Sequence, residues 1–171
     1  MKITYEIENG KNVKVKTYVD GRVKKFDKNG NEIYFKSSDG YEFWHEYDEN
    51  GNCIHFKNSN GLEKWYEYDA NGRVIHHKDY DGFEYWNEYD TNGNEIHYKN
   101  NTGTEYWYEY DANGRKIHCK RSDGFEEWYE YDANGNVIHY KDNRGYEDWS
   151  EYDTKGNIIH LKDNGGYEKW Y

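Results

Sequence analysis

The sequence predicts an all-β protein: an antiparallel meander of about seven 21-residue β-hairpin repeats forming a coiled or spiral single sheet. Three observations predict it. Tryptophan falls at 44, 65, 86, 107, 128, 149 and 170, a fixed spacing of 21 residues, and a period in that range marks stacked supersecondary units. Between aromatic strings lie tetrapeptides such as Asp69-Ala70-Asn71-Gly72 and Asp90-Thr91-Asn92-Gly93. These suit a type I turn followed by a left-handed glycine, the three-residue hairpin loop with a G1 bulge. The chain holds no proline, so no position denies a backbone donor to a sheet ladder.

Residues 1–39 follow the period only in part. Val13-Lys14-Val15-Lys16 and Arg22-Val23-Lys24-Lys25-Phe26 alternate like strands, and Asp27-Lys28-Asn29-Gly30 makes the turn. The tryptophan is missing there, and the step from Gly21 to Gly40 is two residues short. This is the expected form of divergent N-terminal capping hairpins, which cover the first edge of an array. Residues 40–171 form the repeat array, one continuous domain. Each unit carries an aromatic strand such as Phe83 to Tyr89, the Asp-Thr-Asn-Gly turn, and a second strand, Glu95 to Lys99, centred on Ile96. A short turn such as Ser122-Asp123-Gly124 leads into the next unit. The chain stops at Trp170-Tyr171, inside a strand, an edge that must be short, paired or covered.

Turn chemistry places Asp90 opposite Asn94, so Glu88 faces Ile96 and Trp86 faces Tyr98. One face then holds Glu84, Trp86, Glu88 and Ile96, and the other Tyr85, Asn87, Tyr89, His97 and Lys99. A four-residue loop would instead pair Glu84 with Lys99 and Trp86 with His97. Either way each face mixes rings with charges, which favours a sheet that twists on itself over a flat sandwich.

The stretch Tyr68-Asp69-Ala70-Asn71-Gly72-Arg73-Val74, with Asp81-Gly82 and a second Tyr89-Asp90 after 21 residues, resembles the RHS/YD repeat of bacteria. The resemblance spans roughly residues 26–171 and implies β-hairpins that curl into a spiral sheet. Large members of that family form shells around a toxin, and six full units are too few to enclose a domain. This sequence departs from the pattern in carrying Asn52, Asn94 and Asn136 after the glycine, and in its Ile-His-x-Lys and Glu-x-Trp-x-Glu strings. The string Trp107-Tyr108-Glu109-Tyr110-Asp111 is more weakly similar to choline- and glucan-binding repeats of cell-wall proteins, whose ligand sites need secretion.

Composition narrows the function classes. The net charge is −11, which opposes direct binding to nucleic acid or an anionic membrane and favours basic partners. Cys53 and Cys119 are too few for a disulfide framework, so reduced thiols in a cytosol are the expectation. The N-terminus has no apolar signal region, and no apolar run reaches membrane-spanning length. Cytoplasmic localisation follows as an expectation.

Residues in repeated columns read as scaffold. The histidine column (His55, His76, His97, His118, His139, His160) invites a metal reading, but column neighbours would lie about 9–10 Å apart at the usual strand spacing. A hydrogen-bonded ladder is the expectation, with no metal and no cofactor. The glutamate columns read likewise, and no nucleophile, base and orienting group occur together once, so no enzyme activity is expected. Column breaks are the candidate site. On one face they gather Tyr66, Tyr85, Tyr106, Tyr108 and Tyr129, bordered by Glu127 and Asp148. A variable, ring-rich, acid-edged patch on a constant frame suits protein binding. The favoured expectation is a non-catalytic inhibitor of a basic protein, such as an immunity protein, an antitoxin or an inhibitor of a nucleic-acid-handling enzyme. A carbohydrate or cell-wall binding module and a structural fragment of a larger RHS/YD protein are the alternatives.

Overall fold

The computed structural model describes residues 1–171 as seventeen β-strands. No helix is long and apolar enough to cross a membrane. The chain divides into two compact units, Met1–Trp86 and Asn87–Tyr171. The first holds β1 (Lys2–Glu8), β2 (Lys11–Thr17), β3 (Val23–Phe26), β4 (Glu32–Lys36), β5 (Glu42–Tyr47), β6 (Cys53–Asn58), β7 (Glu63–Tyr68), β8 (Val74–Asp79) and the start of β9 (Glu84–Tyr89). The second holds the rest of β9, then β10 (Glu95–Asn100), β11 (Glu105–Tyr110), β12 (Lys116–Arg121), β13 (Glu126–Tyr131) and β14 (Val137–Asp142). It ends with β15 (Glu147–Tyr152), β16 (Ile158–Asp163) and β17 (Glu168–Trp170). Within each unit the pairing is antiparallel between chain neighbours, the expected meander of hairpins. The expected boundary at 39/40 lies inside the first unit, in a turn closed by the Ser37 N–H on the Tyr41 carbonyl at 2.8 Å.

Both connections of the repeat use one turn. At the first, the Asp90 N–H donates to Asn94 O (2.9 Å) and the Gly93 N–H to Asp90 O (3.2 Å). Gly93 has φ 97°, a left-handed conformation open to glycine at no Cβ cost. The Asp90 carboxylate accepts from the Asn92 and Asn94 amides, both at 2.9 Å, and from the Asn94 side chain at 2.8 Å. At the second, Asn100 does the same work for Thr102 and Thr104. Aspartate and asparagine recur there because a short acceptor can bond the turn amides ahead of it.

The register differs from both expected versions. In the β11–β12 hairpin, Tyr110 opposes Lys116 beside the turn, as a three-residue loop requires. The register then shifts, so Glu109 faces His118 and Trp107 faces Lys120. Ile117 is the extra residue, and its column therefore sits in a β-bulge in hairpin after hairpin. One extra residue on one strand moves every pair beyond it by one. Histidine and lysine consequently share the tryptophan face, not the tyrosine face. Across the second connection tryptophan meets the histidine of the preceding hairpin, as in His97 opposite Trp107.

Among the residues expected to form capping hairpins, β1, a strand absent from the sequence-based expectation, joins β2 through Asn9 (φ 50°) and Gly10 (φ 76°). Positive φ at both positions is a type I′ turn, which Asn-Gly signals. The core is thin. Only Val13, Val15, Cys119, His77, Asn87 and Ser150 are buried. Within each unit strands touch only their chain neighbours, so lateral contacts along the faces do the work of a second layer.

Candidate functional site

The tryptophan face is a ladder of ions and rings. Each histidine ring lies parallel to the next strand's tryptophan: His55–Trp65, His97–Trp107 and His139–Trp149 have centroids 5.2–5.3 Å apart. Nδ1 of His97 meets Glu88 at 3.2 Å and Nε2 meets Glu105 at 2.8 Å. His139 lies between Glu130 and Glu147 in the same way, at 3.2 and 2.8 Å. Burial opposes the charge on His139, but these two carboxylates outweigh it and hold its pKa above the usual histidine value. Where lysine competes, the histidine contact lengthens. Glu84 sits 2.6 Å from Lys78 and 3.9 Å from His76. Both nitrogens of His97 and His139 are thus spent on carboxylates, the arrangement of a structural ladder.

The tyrosine of each Tyr-Asp pair holds hairpin to hairpin. The hydroxyls of Tyr68, Tyr110, Tyr131 and Tyr152 donate to the carbonyls of Cys53, Glu95, Lys116 and Val137, at 2.7–2.9 Å. Each accepting residue directly precedes the bulged isoleucine of the previous hairpin. A bulge interrupts the ladder there, and the phenol supplies a donor to a half-buried carbonyl.

The seven candidate residues lie on the opposite face, and all are half-buried. In the first unit, Tyr66 and Tyr85 flank the imidazole of His77, each with its ring centroid 4.8 Å away. His77 is 6% exposed, and burial lowers its pKa. Asp79 lies 3.5 Å from its Nε2 and 3.3 Å from the Lys64 amine. In the second unit, Tyr106 and Tyr108 stack at 5.9 Å and 7°, and Tyr129 packs on Tyr140 at 5.2 Å. Burial pushes the phenols of Tyr108 and Tyr129 well above the usual range. Glu127 pairs with Lys116 at 3.1 Å, and that lysine lies 4.9 Å over the Tyr129 ring.

Several column breaks are therefore answered by other column breaks: Lys64 by Asp79, and Glu127 by Lys116. Asp148 differs, since it stands directly opposite another aspartate, Asp163. Sequence reasoning singled out breaks on the first strand of each hairpin only. The same test on the second strand marks His77, Cys119, Glu95 and Lys116, which share this face. Glu95 is half-buried, and burial raises its carboxyl pKa. Both cysteines are free, and burial pushes both thiols up.

No family model matches the chain, and no curated protein matches it. Among solved structures, the fold recurs in a Photorhabdus luminescens Tc holotoxin pore carrying the mutation TccC3-D651A. That match has a TM-score of 0.63 and 16% identity, covering 90% of this chain and 10% of that one. The TcdB2-TccC3-Cdc42 structure matches with a TM-score of 0.64 and 16% identity, over 93% of this chain and 10% of that one. TcdB2-TccC3 matches with a TM-score of 0.62 and 15% identity. The chain thus spans about a tenth of the length of these structures. The shared fold agrees with the RHS/YD-like reading of the repeats.

Proposed function

We propose that the chain acts as a non-catalytic scaffold, a stretch of hairpin-repeat sheet of the RHS/YD kind within a larger protein. The observation that carries this reading is the fold match, which covers nine-tenths of this chain and a tenth of much longer ones. The geometry agrees with it. Histidine, glutamate, tryptophan and tyrosine columns pair from hairpin to hairpin, as a self-supporting array requires, although Nε2 of His76 and His118 has no hydrogen bond where lysine takes the glutamate. The carbohydrate alternative finds less support, because histidine rings already stack on the tryptophans that would serve as sugar platforms.

The inhibitor reading keeps two supports, the net charge of −11 and Asp148, which faces another aspartate. Affinity capture on the immobilised chain separates the two. A scaffold returns no stoichiometric basic protein, and hydrogen exchange shows its hairpin amides protected without any ligand. A one-to-one basic partner that is released by salt and lost with Tyr108→Ala and Tyr129→Ala would overturn the scaffold reading.

A further inference from the structure

Nine Asn-Gly steps occur in the chain, at Asn9, Asn29, Asn50, Asn60, Asn71, Asn92, Asn113, Asn134 and Asn164. Asn-Gly is the dipeptide most open to succinimide chemistry, because glycine leaves the attacking amide unhindered. The structure sorts these nine steps into three classes. In seven of them the glycine N–H donates to the carbonyl that opens the turn, at 3.0–3.2 Å, as Gly72 does to Asp69 and Gly135 to Asp132. That bond ties up the nucleophile and holds asparagine in the type I turn. At Asn164 the side chain is held instead: Nδ2 donates to Gly145 O, and Oδ1 accepts from the Glu147 N–H at 3.3 Å.

Asn9 has neither restraint. Its turn is closed by the pair Glu8 and Lys11, so the Gly10 amide makes no turn-closing bond. Asn9 is exposed. We propose Asn9 as the chain's first site of spontaneous deamidation and backbone isomerisation. The Gly10 nitrogen attacks Asn9 Cγ. The new N–Cγ bond forms as the Cγ–Nδ2 bond breaks, and ammonia leaves with the amide proton. Solvent water then opens the five-membered imide at either carbonyl, leaving aspartate or isoaspartate at position 9. No oxidant or reductant enters. Isoaspartate lengthens the main chain by one carbon in a two-residue turn that has no slack, so the β1–β2 register loosens.

The test incubates the full chain in mildly alkaline buffer at body temperature and follows each step by peptide mapping with mass spectrometry. Asn9 should convert at least about fivefold faster than Asn71, Asn92, Asn113 and Asn134, the factor one net turn hydrogen bond supplies. In urea the rates should converge, since unfolding frees every glycine amide. Asp132→Ala removes the carboxylate that holds the Asn134 and Asn136 amides but keeps the main-chain carbonyl that the Gly135 N–H bonds, so Asn134 should stay slower than Asn9, with Asn92 as an internal control. A folded-state rate at Asn9 equal to or below the repeat turns overturns the proposal. So does a disparity that persists in urea, or an Asn134 rate that rises to that of Asn9 in Asp132→Ala.

Discussion

Single side chains in this chain are constrained by what lies one hairpin away. Tyr110 illustrates this, with its hydroxyl 2.8 Å from the Glu95 carbonyl. Tyr110→Phe should cost about 1 kcal/mol, the usual net value of one intramolecular hydrogen bond. Urea melts with unchanged slope would check it. Asp148 makes the opposite case. It faces Asp163, and like charges directly opposite across strands destabilise. The same two columns hold Lys64 and Asp79 in the β7–β8 hairpin, 3.3 Å apart. Asp148→Lys should therefore stabilise the chain by up to about 1 kcal/mol, read as a higher melting temperature. A gain marks Asp148 as the one candidate residue that the fold does not need. The tyrosine and glutamate candidates could be picked out in the sequence as column breaks. Their partners could not, because Lys116 meets Glu127, and Asp79 meets Lys64, only once the bulge has set the register.

At the scale of the hairpin, the turn was legible and the pairing beyond it was not. Asp-x-Asn-Gly states its own geometry through local hydrogen bonds. The bulge at the isoleucine column leaves no local signature, since isoleucine is an ordinary strand residue. It is stabilised by a tyrosine from the following hairpin, which no window of one repeat contains. The turns also predict how the protein meets acid. The pKa values of Asp48, Asp90 and Asp132 are lowered chiefly by the Asn52, Asn94 and Asn136 side chains, and those of Asp69 and Asp111 chiefly by the Arg73 and Arg115 amides. A carboxylate whose folded pKa lies below its unfolded value of 3.8 contributes fully above 3.8. That contribution drains away as the pH falls through the folded value. Stability should fall steeply below pH 3.8, in step across the array. Asp132→Asn keeps an acceptor for the turn amides but removes one titrating group, so its acid limb should be shallower. Thermal melts on either side of that pH would show it, and a parallel acid limb would contradict the cap as the source.

Over the whole molecule, the period itself is the constraint. Each strand within a unit touches only its chain neighbours, so stability should divide into hairpin terms and neighbour terms. Removing residues 105–125 from the second unit takes out 21 residues and joins Thr104 to Glu126, which occupies the column of Glu105. His97 then meets Trp128 in place of Trp107, and the Tyr131 hydroxyl reaches the Glu95 carbonyl in place of Lys116. Every column continues unbroken. This shortened chain should keep its β-sheet circular dichroism and unfold cooperatively at a somewhat lower temperature, having lost one neighbour term. Removing 106–125 instead takes out one residue fewer and leaves Glu105 joined to Glu126. Side chains alternate between faces with period two, so Glu127 would take the place of Trp107 and Trp128 would fall on the tyrosine face. His97 would then lose the tryptophan it stacks on. That chain should lose its cooperative transition, although its composition differs from the first by a single glutamate. If both deletions melt alike, the ladders do not hold the sheet together, and the scaffold reading loses its physical basis.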